Sequence, residues 1–416
     1  MTGEIRTDVL IVGAGPGGSS ASMVLSRHGI DHVLADRATF PRDKVCGDAL
    51  SGKVMRTLER LDSGLARRLR EDARQLPSWG VIFTAPGGTS LRVPFSRSIG
   101  QGDAPGAIMP RVSFDELLFN AAVSRAARPL QNSRLDRFER TAQGWQVLAG
   151  AETRIHARIV IAADGANSKF ARHVAGLPME PRHHCAGVRA YYSGVSGLDP
   201  QGFIELIFLR DLLPGYLWIF PMANGLANVG LGLRSDQVGK RRADLRSMLQ
   251  DLVGHHPALR ARMAAARMEG AIQGLGLPLG SKRRPISGDG YLLVGDAAHL
   301  IDPFTGEGIS HAMISGMHAA DVAAAALHNG ATSATALRAY DARVWERLGK
   351  ELSISSRLQQ LAAIPWLFDR VVNKAVKNPA LADMISSMFT DLDLRDRLRD
   401  PRFHVSLLFG RIGGNR

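Results

Sequence analysis

The chain opens on a short unbroken apolar run, Asp8-Val-Leu-Ile-Val12, the pattern of a strand buried on both faces of a parallel sheet. A helix-compatible stretch from Ser19 to His28 follows and ends at Gly29, and His32-Val-Leu-Ala35 reads as a second strand. The strand-then-turn pattern returns twice far downstream. Ile159-Val-Ile161 runs into Asp164-Gly165, and Tyr291-Leu-Leu-Val294 runs into Gly295-Asp296 ahead of a long alanine-rich helix to Leu327. Between Gly187 and Leu233 the pattern changes to short strands at Val188 to Tyr192, Phe203 to Leu209, Tyr216 to Pro221 and Ala227 to Leu233. Asp211 to Gly215 and Asn224-Gly225 supply turns, and Trp79 to Phe95 is expected to add edge strands. From Ala334 onward the chain reads helical, with Phe368, Val371, Val372, Ala375 and Val376 at helix spacing and Arg370, Lys374 and Lys377 elsewhere on the wheel.

Composition narrows the class. The 416 residues, 45% hydrophobic and 22% charged, are enough for a large core and match neither a disordered nor a fibrous chain. Cys46 and Cys185 are too few for a disulfide framework and lack metal-ligand spacing, so a reducing, cytoplasmic setting and no metal are expected. Met1 to Asp8 leads directly into the first strand, which argues against a signal peptide. The longest uncharged run, Leu212 to Leu233, is interrupted by Pro214 and Pro221 and does not read as a membrane span. The net charge is +13, but only eight of the 52 basic residues are lysines and the arginines are scattered. Without a basic arm interleaved with aromatics, no nucleic-acid partner is expected. The basic amphipathic segment near Ile364, Trp366 and Leu367 leaves two readings: docking on its own protein, or peripheral contact with a membrane surface.

The first fifty residues carry the clearest chemistry. Gly13-Ala-Gly15-Pro16-Gly17-Gly18 is a G-x-G-x-x-G placed between a strand and a helix, with Asp36 18 residues after Gly18 at the end of the second strand. Gly13 permits the tight turn, Gly15 lets the backbone approach a pyrophosphate, Gly18 allows close helix–strand packing, and Asp36 can accept from ribose hydroxyls. The motif specifies a dinucleotide. The late elements point to FAD rather than NAD: Asp296 can reach polyol hydroxyls, and the helix opened by Pro303 and Gly306-Glu307-Gly308-Ile309 can aim its positive end at an electron-rich ring.

Taken in order, these motifs resemble the FAD-dependent fold shared by aromatic hydroxylases, flavin halogenases and geranylgeranyl reductases, over about residues 5 to 335. The carriers are the glycine turn, Asp36-Arg37, Arg111 with Phe114-Asp115, Asp164-Gly165 and Gly295-Asp296. Two stretches resemble the geranylgeranyl reductases in particular. Phe40-Pro41-Arg42-Asp43-Lys44-Val45-Cys46-Gly47 is similar to a motif whose Cys-Gly pair sits beside the flavin. Tyr216-Leu-Trp218-Ile-Phe220-Pro221 is similar to the Tyr-x-Trp-x-Phe-Pro strand that lines the substrate cavity; alternation along a strand puts Tyr216, Trp218 and Phe220 in one row. Two departures stand out: Asp48 replaces a glycine common in the reductases, and His299 is more usual among the hydroxylases.

The resemblance implies FAD contacts at Gly13, Gly15, Pro16, Gly17, Gly18, Asp36, Arg37, Arg42, Cys46, Gly47, Arg111, Asp164, Gly165, Gly295, Asp296, Pro303, Gly306, Gly308 and Ile309. Cys46, Tyr216, Trp218 and His299 are the catalytic candidates. The expected fold is α/β, a Rossmann-like FAD-binding domain with a mostly antiparallel β-sheet substrate domain and a C-terminal helical segment. The expected boundaries are 1–75, 103–180 and 282–333 for FAD binding, 76–102 and 181–281 for substrate, and 334–416 for the C-terminal region. The expected activity is reduction of carbon–carbon double bonds in a hydrophobic, isoprenoid-type molecule, with NAD(P)H or another donor reducing FAD. The alternative, motivated by His299 and Asp302, is a monooxygenase that hydroxylates or epoxidises an aromatic or polyene metabolite.

Overall fold

The computed structural model describes residues 3–378, apart from 97, 126, 151 and 152, together with Ser386. The part of the expected C-terminal region beyond 378, Ser386 excepted, lies outside the described residues.

An eight-stranded sheet has Glu4–Val12 at its centre, parallel to Thr153–Ala162 on one side and His32–Ala35 on the other. Tyr291–Leu293 continues the sheet, parallel to Thr153–Ala162. Val9, Leu10 and Ile11 have no exposed surface, which is why this strand reads as an unbroken apolar run rather than an alternating one. The helix Pro16–Arg27 leaves the first strand and packs against Ile309–His328 almost backbone to backbone. A Cβ on Gly316 would stand 2.2 Å from the Gly17 carbonyl oxygen. The late helix is thereby fixed beside the early glycine turn, and the strand-end turns of three distant segments converge on one edge.

The second sheet runs in the order Arg267–Pro278, His184–Ser193, Leu226–Arg234, Tyr216–Pro221, Ile204–Ile207, Gly80–Thr84, Ser90–Pro94. The expected strands between 187 and 233 all occur, paired antiparallel, and the hairpin from Gly80 occupies the expected edge. Ile204–Ile207 meets Gly80–Thr84 in parallel. The opposite edge, Arg267–Pro278, went unread because most of it is exposed and glycines break its alternation. One face of the sheet packs Phe83, Phe208, Trp218, Phe220 and Phe304 into an apolar cluster. The other carries Val188, Leu217, Ile219 and Leu231 against residues of the helices Leu245–His255 and Pro257–Met263. A small sheet pairs Ala49–Leu50 and Leu76–Ser78 with Gly106–Ile108, spanning the boundaries expected at 75–76 and 102–103.

The C-terminal helices are built into both layers. In Ala334–Ala362, Tyr340 donates from its hydroxyl to the Leu293 carbonyl (2.5 Å) and Trp345 from Nε1 to the Arg284 carbonyl (3.0 Å). Pro365–Val376 buries Phe368, Val372 and Ala375 on the second sheet, and its Asp369 accepts from the Gly87 amide at 2.7 Å. Much of the helix's apolar face is therefore consumed by the protein itself, while Ile364, Trp366 and Val376 remain exposed. Among the described residues no helix is long and apolar enough to cross a membrane.

Candidate functional site

Two connected concavities lie where the layers meet. A polar groove follows the ends of the first-sheet strands past Gly13, Gly15, Asp36, Arg42 and Asp164. An apolar cavity between the two sheets continues it, and both share Pro16, Lys44, Val45, Leu275, Gly276 and Asp296.

The groove follows from the glycine turn. A Cβ on Gly18 would fall 1.8 Å from the Gly13 oxygen, so glycine alone lets the helix start this close to the strand. The helix Pro16–Arg27 begins at Gly15 with no side-chain cap, leaving its positive end toward the groove. Asp36 is spent largely on the turn: its carboxylate accepts from the Ala14 amide and the Ala38 amide, each at 2.9 Å. Arg42 reaches over Gly15 and donates to Asp115 at 2.8 Å. Asp115 also takes Arg111 in a fork of 2.7 and 2.9 Å. Burial opposes the Asp115 charge, but Arg111 and Arg42 overcome it and hold the carboxyl below its ordinary range. Asp164, raised by burial, accepts from the Lys169 amide at 3.1 Å and leaves its other oxygen without a partner.

The cavity is walled by strands from the second sheet and by the turn before Ile309–His328. Tyr216, Trp218 and Phe220 all line it as the alternation argument requires, with successive ring centroids 6.3 Å apart. Tyr216 donates to the Thr305 carbonyl at 2.6 Å, and burial raises its hydroxyl well above the ordinary value. Cys46 and Gly47 also line the cavity, Gly47 packed directly on the aromatic row: a Cβ there would strike the Phe220 ring at 2.7 Å. Cys46 and Arg111 line the same cavity. Cys185 also lines this cavity, its thiol pushed up to about 12 by burial.

The structure gathers Gly13, Gly15, Pro16, Gly17, Asp36, Arg37, Arg42, Asp164, Gly165 and Gly295 along the groove. It places Cys46, Gly47, Arg111, Pro303, Gly306, Gly308 and Ile309 around the cavity, and Asp296 where the two join. Gly18 lies beneath the turn and lines neither.

His299 also lines neither. It occupies a left-handed turn position (φ 54°), is buried, and its ring is driven down to about 4 by burial and by Arg284. That placement gives its catalytic role no geometric support. Asp302, the other residue that pointed to oxygenation, braces the turn: one oxygen accepts from the Phe304 and Thr305 amides and the other from the Ser355 hydroxyl at 2.6 Å.

Several site residues escaped the sequence reading. Lys44 pairs with Asp296 at 2.9 Å and lines both concavities; its spacing from Arg42 and Cys46 in an extended segment was the available signal. Phe95, Cys185, Phe304 and Gln359 reach the cavity from segments far apart in sequence, with no local motif to mark them.

The residues fit FAD. The uncapped helix and Arg42 suit a pyrophosphate, the unpartnered Asp164 oxygen suits a hydroxyl or phosphate-bound water, and Asp296 stands between groove and cavity where a polyol would pass.

Comparisons with known proteins agree. Residues 6–212 match the FAD binding domain model and residues 187–272 the geranylgeranyl reductase catalytic domain model. A menaquinone reductase of Mycobacterium tuberculosis is 30% identical over 408 residues, covering 94% of each chain. A digeranylgeranylglycerophospholipid reductase of Methanothrix thermoacetophila is 31% identical over 409 residues, covering 95% of each. In fold, the chain is similar to a geranylgeranyl bacteriochlorophyll reductase-like protein from Thermoplasma acidophilum (TM-score 0.80, 23% identity, 94% of this chain and 98% of that one). It also resembles a flavin-dependent brominase (TM-score 0.76, 23% identity, 92% and 93%). With sequence motifs, groove and relatives in agreement, the chain belongs to the geranylgeranyl reductase family of FAD-dependent oxidoreductases.

Proposed function

We propose that the protein reduces carbon–carbon double bonds of a hydrophobic, isoprenoid-type substrate. The observation that carries this reading is the cavity itself: its wall is aromatic and aliphatic from Trp218 and Phe220 to Ile204 and Phe304, and it opens directly from the FAD groove at Lys44 and Asp296. Such a wall favours a hydrocarbon chain and excludes water from it. The digeranylgeranylglycerophospholipid in one relative's name is itself an isoprenoid. Bound FAD, once reduced, supplies a hydride to one alkene carbon.

The chain's residues supply the rest. Tyr216, anchored on Thr305, and Trp218 hold the alkene against the turn at Gly306 to Ile309. The other alkene carbon needs a proton, and the Cys46 thiol in the cavity lining is the group we assign to give it. The charge left on sulfur would share the cavity with the Arg111 cation, which Asp115 keeps in place. Solvent would then return a proton to the Cys46 thiol.

The test is anaerobic. Chemically reduced holoprotein mixed with a geranylgeranyl lipid should reoxidise its flavin as the alkene is consumed, and Cys46→Ser should slow that step without loss of flavin. Flavin that stays reduced until oxygen is admitted would reject the reading.

A further inference from the structure

Behind the aromatic wall lies a buried polar hub built on Asp48, which is not part of the cavity lining. Asp48 has no exposed surface and a left-handed backbone (φ 66°) that suits glycine better than aspartate. Its carboxylate accepts three hydrogen bonds: from the Arg111 amide (3.1 Å), the Tyr191 hydroxyl (2.7 Å) and Asn228 Nδ2 (2.8 Å). The same Asn228 nitrogen donates to the Cys46 carbonyl at 2.7 Å, and Asn228 Oδ1 accepts from Trp218 Nε1 at 2.9 Å.

Donor and acceptor chemistry makes this arrangement directional. A carboxylate and a carbonyl can only accept, so both require the Asn228 NH2 group, and the Asn228 oxygen must then face the indole. The indole N–H is thus spent on Asn228, which does not line the cavity. Trp218 also lies across Gly230, where a Cβ would come within 2.3 Å of the ring. With the nitrogen held and the strand beneath bare, the indole has one seat. Removing the carboxylate leaves Asn228 Nδ2 held by the Cys46 carbonyl alone and strips the buried Tyr191 hydroxyl of its acceptor, so the seat of the amide, and of the indole on it, loosens.

We propose that Asp48 is a positioning residue: acting through Asn228, it locks the Trp218 indole and the Cys46–Gly47 corner in one relation and so shapes the flavin end of the substrate cavity. The charged and titratable groups acting on it are Arg189 and Tyr191 from one strand, while Arg111 reaches it through its amide; Asp43 in turn pairs with Arg189 and Asp115 with Arg111. Burial pushes the Asp48 carboxyl up to about 6 against its hydrogen bonds, so mild acid should loosen the lock. The lock itself does not depend on the substrate; its effect on ligand affinity rests on the reductase reading.

The indole resonance of Trp218 in 15N-labelled holoprotein, assigned by its loss in Trp218→Phe, reads the lock directly. It should move as pH falls through about 6 in the wild type, sit at the shifted position throughout in Asp48→Asn, and shift again in Asn228→Ala. Geranylgeraniol binding, followed by flavin absorbance, should weaken about fivefold in Asp48→Asn, as for the loss of one hydrogen bond, and by less than about twofold when Trp218→Phe is already present. An indole resonance and affinity unchanged in Asp48→Asn would overturn the proposal. If Asp48→Asn loses its flavin, an unshifted resonance in Asn228→Ala overturns it equally. Wild-type protein that ignores geranylgeraniol would instead reject the reductase reading, with the resonance still deciding the lock.

Discussion

The groove and the cavity meet at Asp296, yet they are built by opposite rules. The groove is polar, formed from strand-end turns in which each residue's job depends on its immediate neighbours. Gly18 must clear Gly13, Asp36 ties the amides of Ala14 and Ala38, and Arg42 closes over Gly15. The cavity is apolar, and its lining comes from segments as far apart as Cys46, Phe95, Cys185, Trp218, Phe304 and Gln359. In the groove a change should strike cofactor binding first; in the cavity's aromatic row it should strike the substrate and spare the cofactor.

The sharpest way to break that division is at its base. Gly18→Val puts a side chain where 1.8 Å separates Cβ from the Gly13 oxygen, and should abolish flavin-loaded protein, at a cost above ~3 kcal/mol. Flavin absorbance per chain measures it. Next, Asp115→Ala strands the buried Arg111 and should destabilise the fold by ~3–5 kcal/mol in denaturant unfolding, with flavin lost in parallel. Trp218→Ala should do the reverse: flavin content unchanged, with affinity for a geranylgeranyl ligand down by about 10- to 100-fold from lost apolar contact.

The smallest effect concerns the frame behind the cavity, where Lys53 and His311 both meet Glu351. Burial lowers the His311 ring, but Glu351 more than reverses this and holds it at about 9. Burial likewise opposes the Glu351 charge, and Lys53 and His311 bring that carboxyl down to about 2. A raised histidine stabilises fully below its ordinary 6.5 and loses that contribution as pH climbs through about 9. The lowered glutamate contributes above its ordinary 4.5 and fails only as pH falls through about 2. The melting temperature should therefore fall between pH 6.5 and 9, and His311→Gln should flatten that slope.

The same contrast explains what could be read in advance. The glycine turn, Asp36 and the two downstream strand-end turns were legible because their chemistry sits within a few residues of sequence. The row Tyr216, Trp218, Phe220 was legible because strand alternation is also local. Cys185 and Gln359 were not, since they meet only through pairing of distant strands and packing of a late helix. The exposed edge strand Arg267–Pro278 gave no hydrophobic alternation to follow. His299 was expected near the flavin from its position in the turn; its backbone there is left-handed and it lines neither concavity, a placement local sequence does not specify.

Product mass tests the central claim most directly. Reduced holoprotein incubated without oxygen with a geranylgeranyl lipid should yield product heavier by whole hydrogen pairs, one pair for each double bond removed. Product that appears only with oxygen, and carries added oxygen instead of hydrogen, would contradict it.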